Sequence, residues 1–233
     1  MPDNCNDNMM LLGWFLARRA PLNTDFWRQD LLPASLLSAS ACICSIHPNF
    51  FDDMCAEDDS LKDFCSGNVV NEFGGMQYLA SRERALKMRG QWYPEDYLVM
   101  GLAIPQRLVP VLEQEISLWV DGASPRLAAQ NFCGQEVVRG FDVLGYSAGW
   151  HSYLCNGLEN VLYDKFSTKV NPFGLISDMD KAEAFADYIS ERELGEPFLR
   201  WLPLAVLQHQ DDVKENEALN VSCRALSDSS HTA

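Results

Sequence analysis

The sequence predicts an α+β fold, with a mixed sheet of four to five strands packed against about four helices. Dense apolar runs of strand length occur near residues 10–17, 97–104, 137–145 and 199–208, and such runs are typical of buried strands. Between them, apolar residues recur at intervals of three and four, which indicates helices with one buried face. No apolar run approaches the roughly 18 residues of a membrane span.

The N-terminal part contains the first of these strands. Residues 9–17, MMLLGWFLA, are apolar on both faces and predict a buried strand. Residues 21–30 predict a loop and a short helix, with Thr24 as a candidate N-cap. Residues 35–46 alternate small apolar residues with serine, which permits a fifth strand.

The middle of the chain begins with a turn-rich stretch, SGNVVNEFGG, at residues 66–75, which predicts a connector. Residues 76–88 then predict a helix that ends at Gly90. After the strand at 97–104, a further helix is predicted from one apolar face, formed by Leu108, Leu112, Ile116 and Trp119.

The C-terminal part starts with the strand near 137–145, followed by the glycine-bounded turn Gly145-Tyr-Ser-Ala-Gly149. A helix is predicted next from the spacing of Leu154, Leu158, Val161, Leu162 and Phe166. Ser177 and Asp180 resemble a capping box and predict the start of a helix with apolar positions Ala182, Phe185, Ala186 and Ile189. The last strand, with Pro203 in it, is predicted at an edge or a bulge.

These elements predict a single α+β domain over residues 1–209, with a candidate internal boundary near 66–75. From Gln210 onward the chain is polar, acidic and without pattern, so residues 210–233 predict a disordered tail.

Charge is the one feature of the composition that carries functional content. The chain has 33 acidic and 18 basic residues, a formal net charge of −15. Such a surface repels nucleic acid and anionic membranes, and it favours a basic protein partner. Solubility alone is the other explanation of the same charge.

The acidic residues are densest between positions 52 and 63, at Asp52, Asp53, Glu57, Asp58, Asp59 and Asp63. Their spacing lacks the D-x-D-x-D-G pattern of a calcium loop, so a metal site is not predicted. Two interpretations remain, a solvated surface and a contact surface for a partner. Phe50, Phe51, Met54 and Phe64 lie among the acids, and they are either anchors for that partner or core residues, the core being favoured.

The turn G-Y-S-A-G gives the alternative function, a serine hydrolase. Strand, turn and helix is the setting of a nucleophile elbow, with Ser147 as the nucleophile, His209 as the candidate base and Asp178 or Asp180 as the candidate acid. Topology argues against this alternative, because only one strand is predicted after Ser147, whereas the hydrolase fold needs several. His151 and Cys155 form a second candidate pair, for which burial in the core is the favoured interpretation.

The eight cysteines contain no C-x-x-C pair, and the N-terminus has no basic segment typical of a secretory signal. Free thiols and a cytoplasmic location are therefore expected. No dinucleotide or phosphate-binding motif is present, so no cofactor is predicted.

Residues 141–207 resemble a segment found in small bacterial α+β proteins encoded beside polymorphic or contact-dependent toxins and taken to be immunity proteins. The resemblance rests on the strand FDVLGY, the CNGLE and NPFGL segments, and the helix with Asp178, Ala182 and Phe185. It covers less than a third of the chain and implies no binding residues. It implies a cytoplasmic, non-enzymatic protein that binds and neutralises a cognate toxin.

Overall fold

The computed structural model describes residues 9–22, 28, 30–39, 59–73, 76–118, 127–128, 134–146, 150–196 and 199–213, with the backbone alone at 71–73, 76, 77 and 150. These residues form one antiparallel sheet of eight strands and five α-helices. The predicted α+β class is confirmed. The predicted size of the sheet was wrong, because four of its strands are short and only weakly marked in the sequence.

The strands are β1 (Met9–Pro21), β2 (Ser35–Ser38), β3 (Val69–Phe73), β4 (Met76–Leu79), β5 (Leu98–Pro105), β6 (Glu136–Tyr146), β7 (Trp150–Ser152) and β8 (Trp201–His209). The α-helices are α1 (Asp59–Ser66), α2 (Arg82–Trp92), α3 (Val109–Ser117), α4 (Glu159–Phe166) and α5 (Met179–Glu191). Short 3-10 helices at Gln106–Leu108 and Tyr153–Asn156 precede α3 and α4.

The strands follow the order β3-β4-β1-β5-β8-β6-β7, and β2 pairs with the end of β1. The loop before α5 ties the two sides of this sheet together. Phe141 in β6 and Ile176 exchange two backbone hydrogen bonds of 2.7 and 2.9 Å, while the Leu37 N–H in β2 donates to the Phe173 carbonyl at 3.1 Å. The hydrogen-bonded path from β1 through β5, β8 and β6 therefore returns to β2, and the sheet curls on itself.

Helix α5 shows how the sequence directs the packing. Its predicted apolar positions, Ala182, Phe185, Ala186 and Ile189, are its buried residues, and the helix contacts β6 and β8. The N-cap is Asp178 rather than Ser177, since the Asp178 carboxylate accepts the Lys181 N–H at 2.9 Å. Burying Phe185 and Ile189 stabilises the fold by roughly 1.5–3 kcal/mol for each side chain.

Two predictions in the middle of the chain were wrong. The stretch at 66–75, predicted as a connector, contains β3, which pairs with β4. Residues 76–79, predicted as the start of a helix, form strand β4, which pairs with β1 in the same sheet. Tyr78 is fully buried, and Gly13 in β1 allows its close approach, since a Cβ at Gly13 would lie 2.6 Å from the Tyr78 Cβ. Helix α2 starts only after Ser81, whose side chain accepts the Arg84 N–H, and it continues through Gly90 to Trp92.

Residues 210–213, predicted as the start of the tail, belong to the fold. Residues 210–213 form a helical turn, and the Gln210 N–H donates to the Gln135 carbonyl at 2.9 Å. Asp212 is buried and accepts two hydrogen bonds from the Arg82 guanidinium group. Residues 214–233 lie outside the described residues, as do Thr24 and residues 40–58. In the part of the chain that the structure describes, none of the helices combines the length and apolar character that crossing a bilayer requires.

Candidate functional site

The strand-turn-helix element predicted around Ser147 is not present, because a second strand, β7, follows the turn. Ser147 lies outside the described residues, but the strands on both sides pair antiparallel, with Tyr146 opposite Trp150. The chain therefore runs from strand to strand here, whereas an elbow runs from strand to helix. The helix predicted after the turn starts later, at Glu159, after β7 and a 3-10 turn.

The two partners predicted for Ser147 lie elsewhere. His209 pairs with Glu136 at the start of β6, and β6 has 11 residues, so its two ends are separated by about 30 Å at ~3.3 Å per residue. His209 is buried, and its Nδ1 accepts the Asp211 N–H at 3.2 Å. Asp178 is exposed at the start of α5. The structure thus does not bring His209 to the end of β6 that precedes Ser147.

The second candidate pair, His151 and Cys155, does not share a helix. His151 lies in β7 with its Nδ1 3.0 Å from the Glu196 carboxylate, and Cys155 lies in the 3-10 turn that follows. Cys155 is half-buried, and Cys65 on α1 is buried.

The acidic stretch is described only at its C-terminal end, where Asp59 and Asp63 lie on α1. Both are exposed, whereas Leu61 and Cys65 on the same helix are buried. Lys62 lies 3.1 Å from Asp59, whose side chain is 97% exposed, so this ion pair is worth little in free energy. The remaining predicted contact residues, Asp52, Asp53, Glu57 and Asp58, lie outside the described residues.

Phe64 is half-buried and packs against the core. Its ring lies 5.2 Å from the Trp92 ring, and the Lys87 ammonium group lies 5.5 Å from its centroid. These contacts place Phe64 at the margin of the core. Phe50, Phe51 and Met54 lie outside the described residues.

A buried carboxyl group in the middle of β6 was missed by the sequence analysis. Asp142 is 2% exposed, and its Oδ1 accepts the Val143 N–H at 2.8 Å and the Ser152 hydroxyl at 3.0 Å. Burial raises the pKa of Asp142 to about 7, against the opposing effect of these two hydrogen bonds. The signal in the sequence was an aspartate inside the apolar run FDVLGY.

Two further polar groups accompany Asp142. The Tyr153 hydroxyl and the Glu159 Oε2 are buried and have no hydrogen-bond partner among the described residues. Burial raises the pKa of Tyr153 well above its usual range, and the negative charges of Asp142 and Glu159 raise it further. Because these groups are closed to solvent, Asp142 is suited to change the stability of the fold with pH rather than to act on a substrate.

Two positively charged side chains lie beside Phe173, a residue of the loop before α5. Phe173 has the Arg19 guanidinium carbon 4.8 Å from its ring centroid and the Arg139 guanidinium carbon 4.5 Å from it. Arg19 belongs to β1 and Arg139 to β6, so only the curled sheet and the loop bring them together. In the sequence the NPFGL segment marks this loop, but its spacing from Arg19 and Arg139 does not indicate that they meet there.

The described residues contain no cluster of three or more His, Cys, Asp or Glu side chains arranged to hold a metal ion. Comparison of the chain with family models, curated proteins and solved structures found no match. The resemblance to immunity proteins therefore stays a hypothesis.

Proposed function

We propose that this chain is a non-enzymatic, acidic binding protein that neutralises a basic bacterial toxin in the cytoplasm, as an immunity protein does. The observation that carries the proposal is the exposed acidic face of α1 in a chain of net charge −15. Asp59 and Asp63 project from this face, four residues apart, and they form the described end of the densest acidic stretch.

Charges at the rim of an interface mainly accelerate encounter and impose a dependence on salt. The acidic stretch therefore serves as the steering surface, towards which a basic partner is attracted before closer contacts form. The serine hydrolase alternative is not carried forward, because β6 separates His209 from the predicted elbow.

The experiment starts from the proteins encoded beside this gene. Each is expressed alone to identify a toxic product, and then together with this chain to measure the recovery of growth. Association of the purified pair is followed by surface plasmon resonance at several salt concentrations. We expect Asp59→Lys/Asp63→Lys to slow association by about tenfold at low salt and to flatten the salt dependence, with little change in thermal stability.

The matched control is Glu95→Lys/Asp96→Lys, which makes the same change in charge at an exposed turn before β5. It should slow association less than the α1 variant does. The proposed function is wrong if no neighbouring product is toxic or if this chain restores no growth. The proposed surface alone is wrong if both variants slow association equally.

A further inference from the structure

Phe64 presents an aromatic ring at the border of the acidic face of α1. Asp59 and Asp63 on this face are exposed, whereas Phe64 is half-buried. Consecutive residues of a helix point about 100° apart, so Phe64 lies beside Asp63 rather than beneath it. The Trp92 ring at the end of α2 lies 5.2 Å from the Phe64 ring and is also half-buried. Two aromatic rings are therefore partly open to solvent next to two carboxylates.

A positive charge already lies beside the Phe64 ring. The Lys87 ammonium group is 5.5 Å from the ring centroid, within the range of a cation–π contact. Lys87 is exposed, and no carboxylate pairs with it in the part of the chain that the structure describes. Because only this contact holds the flexible side chain, another cation can displace it from the ring.

The Asp63 carboxylate has no cation of its own. Lys62 pairs with Asp59, and within the described ranges the Asp63 carboxylate makes neither a hydrogen bond nor an ion pair. A carboxylate beside an aromatic ring suits a guanidinium group, which is planar, stacks on aromatic rings and donates paired hydrogen bonds to a carboxylate. A lysine ammonium group reproduces the charge but not this geometry.

We propose that Asp63, Phe64 and Trp92 bind an arginine side chain of the basic partner, with its guanidinium group stacked on the Phe64 ring and paired with the Asp63 carboxylate. This inference rests on the proposed function and names the contact that follows steering. Arginine and aromatic side chains are enriched among the residues that carry the energy of protein interfaces. The acidic face supplies the matching charge, and Lys87 is the group that the arginine displaces.

The arginine site is tested on the full chain without a toxin. An acetylated tetra-arginine amide and its tetra-lysine counterpart are titrated at constant ionic strength. Binding is followed by the chemical shift of the Trp92 indole N–H, which is assigned by its absence in Trp92→Phe. We expect both peptides to bind through their charge, and tetra-arginine to bind about threefold more tightly than tetra-lysine or better.

Phe64→Leu keeps an apolar side chain of similar size and removes the aromatic ring. It should abolish the preference for arginine and leave the affinity for tetra-lysine within about twofold of the parent. The matched control is Tyr188→Leu on α5, because Tyr188 is also half-buried and has the Arg192 guanidinium carbon 3.9 Å from its ring centroid. This control should keep the preference of the parent.

Lys87→Gln tests the displacement. It should tighten the binding of tetra-arginine by about threefold, because it removes the cation that competes for the ring. Lys181→Gln makes the same change of charge at an exposed position of α5 and should tighten binding less. Because Lys87 is exposed, this pair of variants keeps the test decisive if Phe64→Leu fails to fold.

Equal affinity of the parent for the two peptides overturns the arginine site, as does a preference that Phe64→Leu retains, or equal effects of Lys87→Gln and Lys181→Gln. The proposed function fails separately. If a neighbouring toxin is neutralised but dissociates from Phe64→Leu as slowly as from the parent, the proposed function stands and the arginine site is wrong. If no neighbouring product is toxic, the proposed function is wrong, and the peptide titrations still decide whether the arginine site exists.

Discussion

Replacing Asp142 by asparagine should remove a large part of the pH dependence of stability. Asparagine keeps an oxygen that accepts the hydrogen bonds of Val143 and Ser152, and it resembles the protonated carboxyl group in having no charge. The folded-state pKa of about 7 lies above the unfolded value, near 3.9 for an aspartate. The folded protein therefore binds the proton more tightly than the unfolded chain does.

The sign and the size of the pH dependence of stability follow from the difference between the folded and unfolded pKa values of Asp142. The contribution of Asp142 to stability is fully present below the unfolded pKa and is lost as the pH rises through the folded pKa. The free energy of unfolding changes by about 1.4 kcal/mol per pH unit well below the folded pKa, and by less near and above it. Through Asp142, the parent should therefore lose about 2.5 kcal/mol of stability between pH 5 and pH 8. Asp142→Asn has no such proton to lose.

The measurement is the free energy of unfolding in urea at pH 5, 6, 7 and 8, for the parent and for Asp142→Asn. The difference between the two isolates Asp142, because every other titrating group is common to both. Asp178→Asn is the control for removing one negative charge at an exposed position. Ser152→Ala gives a directional test, since the Ser152 hydroxyl stabilises the Asp142 carboxylate, so its loss should extend the decline to higher pH.

A difference between the parent and Asp142→Asn that stays constant from pH 5 to pH 8 would refute the reasoning. A difference that changes in the opposite direction would show that Asp142 is held as a carboxylate in the folded protein.

Two further predictions concern the packing of the backbone and the C-terminal turn. Gly140 has a φ of +145°, and an added Cβ would lie 2.7 Å from the Leu175 Cβ, so Gly140→Ala should destabilise the fold by about 2 kcal/mol or more. Gly157 is the control, because its φ is +66° but nothing lies within 4 Å of an added Cβ, so Gly157→Ala should cost about 1 kcal/mol. If urea denaturation shows the same loss of unfolding free energy for both variants, the close contact at Gly140 has no effect. Asp212→Asn should cost about 2 kcal/mol, because the partly buried charge of Arg82 then has no carboxylate partner in residues 210–213. An unchanged urea midpoint would show that this ion pair contributes nothing to stability.

The sequence predicted the long elements because their signals are local. The runs in β1, β5, β6 and β8 are dense in apolar residues, so each strand is identified without knowing its neighbours. The apolar face of α5 is equally local, and its N-cap was displaced by only one residue.

The short strands β3, β4 and β7 were missed because pairing, rather than composition, makes them strands. Residues 76–79 end two residues before α2, and pairing with β3 and β1 selects the extended conformation for them. The same cause explains the error at the G-Y-S-A-G turn, since β7 exists by pairing with β6.

The candidate sites depend still more on tertiary structure. The sequence by itself determined the fold class, the net charge and the acidic stretch that ends in α1. Only the fold placed Asp142 in the interior, where burial raises its pKa, and only the curled sheet brought Arg19 and Arg139 to one ring. Periodicity along a chain reports which face of an element is buried, whereas the meeting of charged groups more than a hundred residues apart is set by which strands pair and by the path of the loop between them.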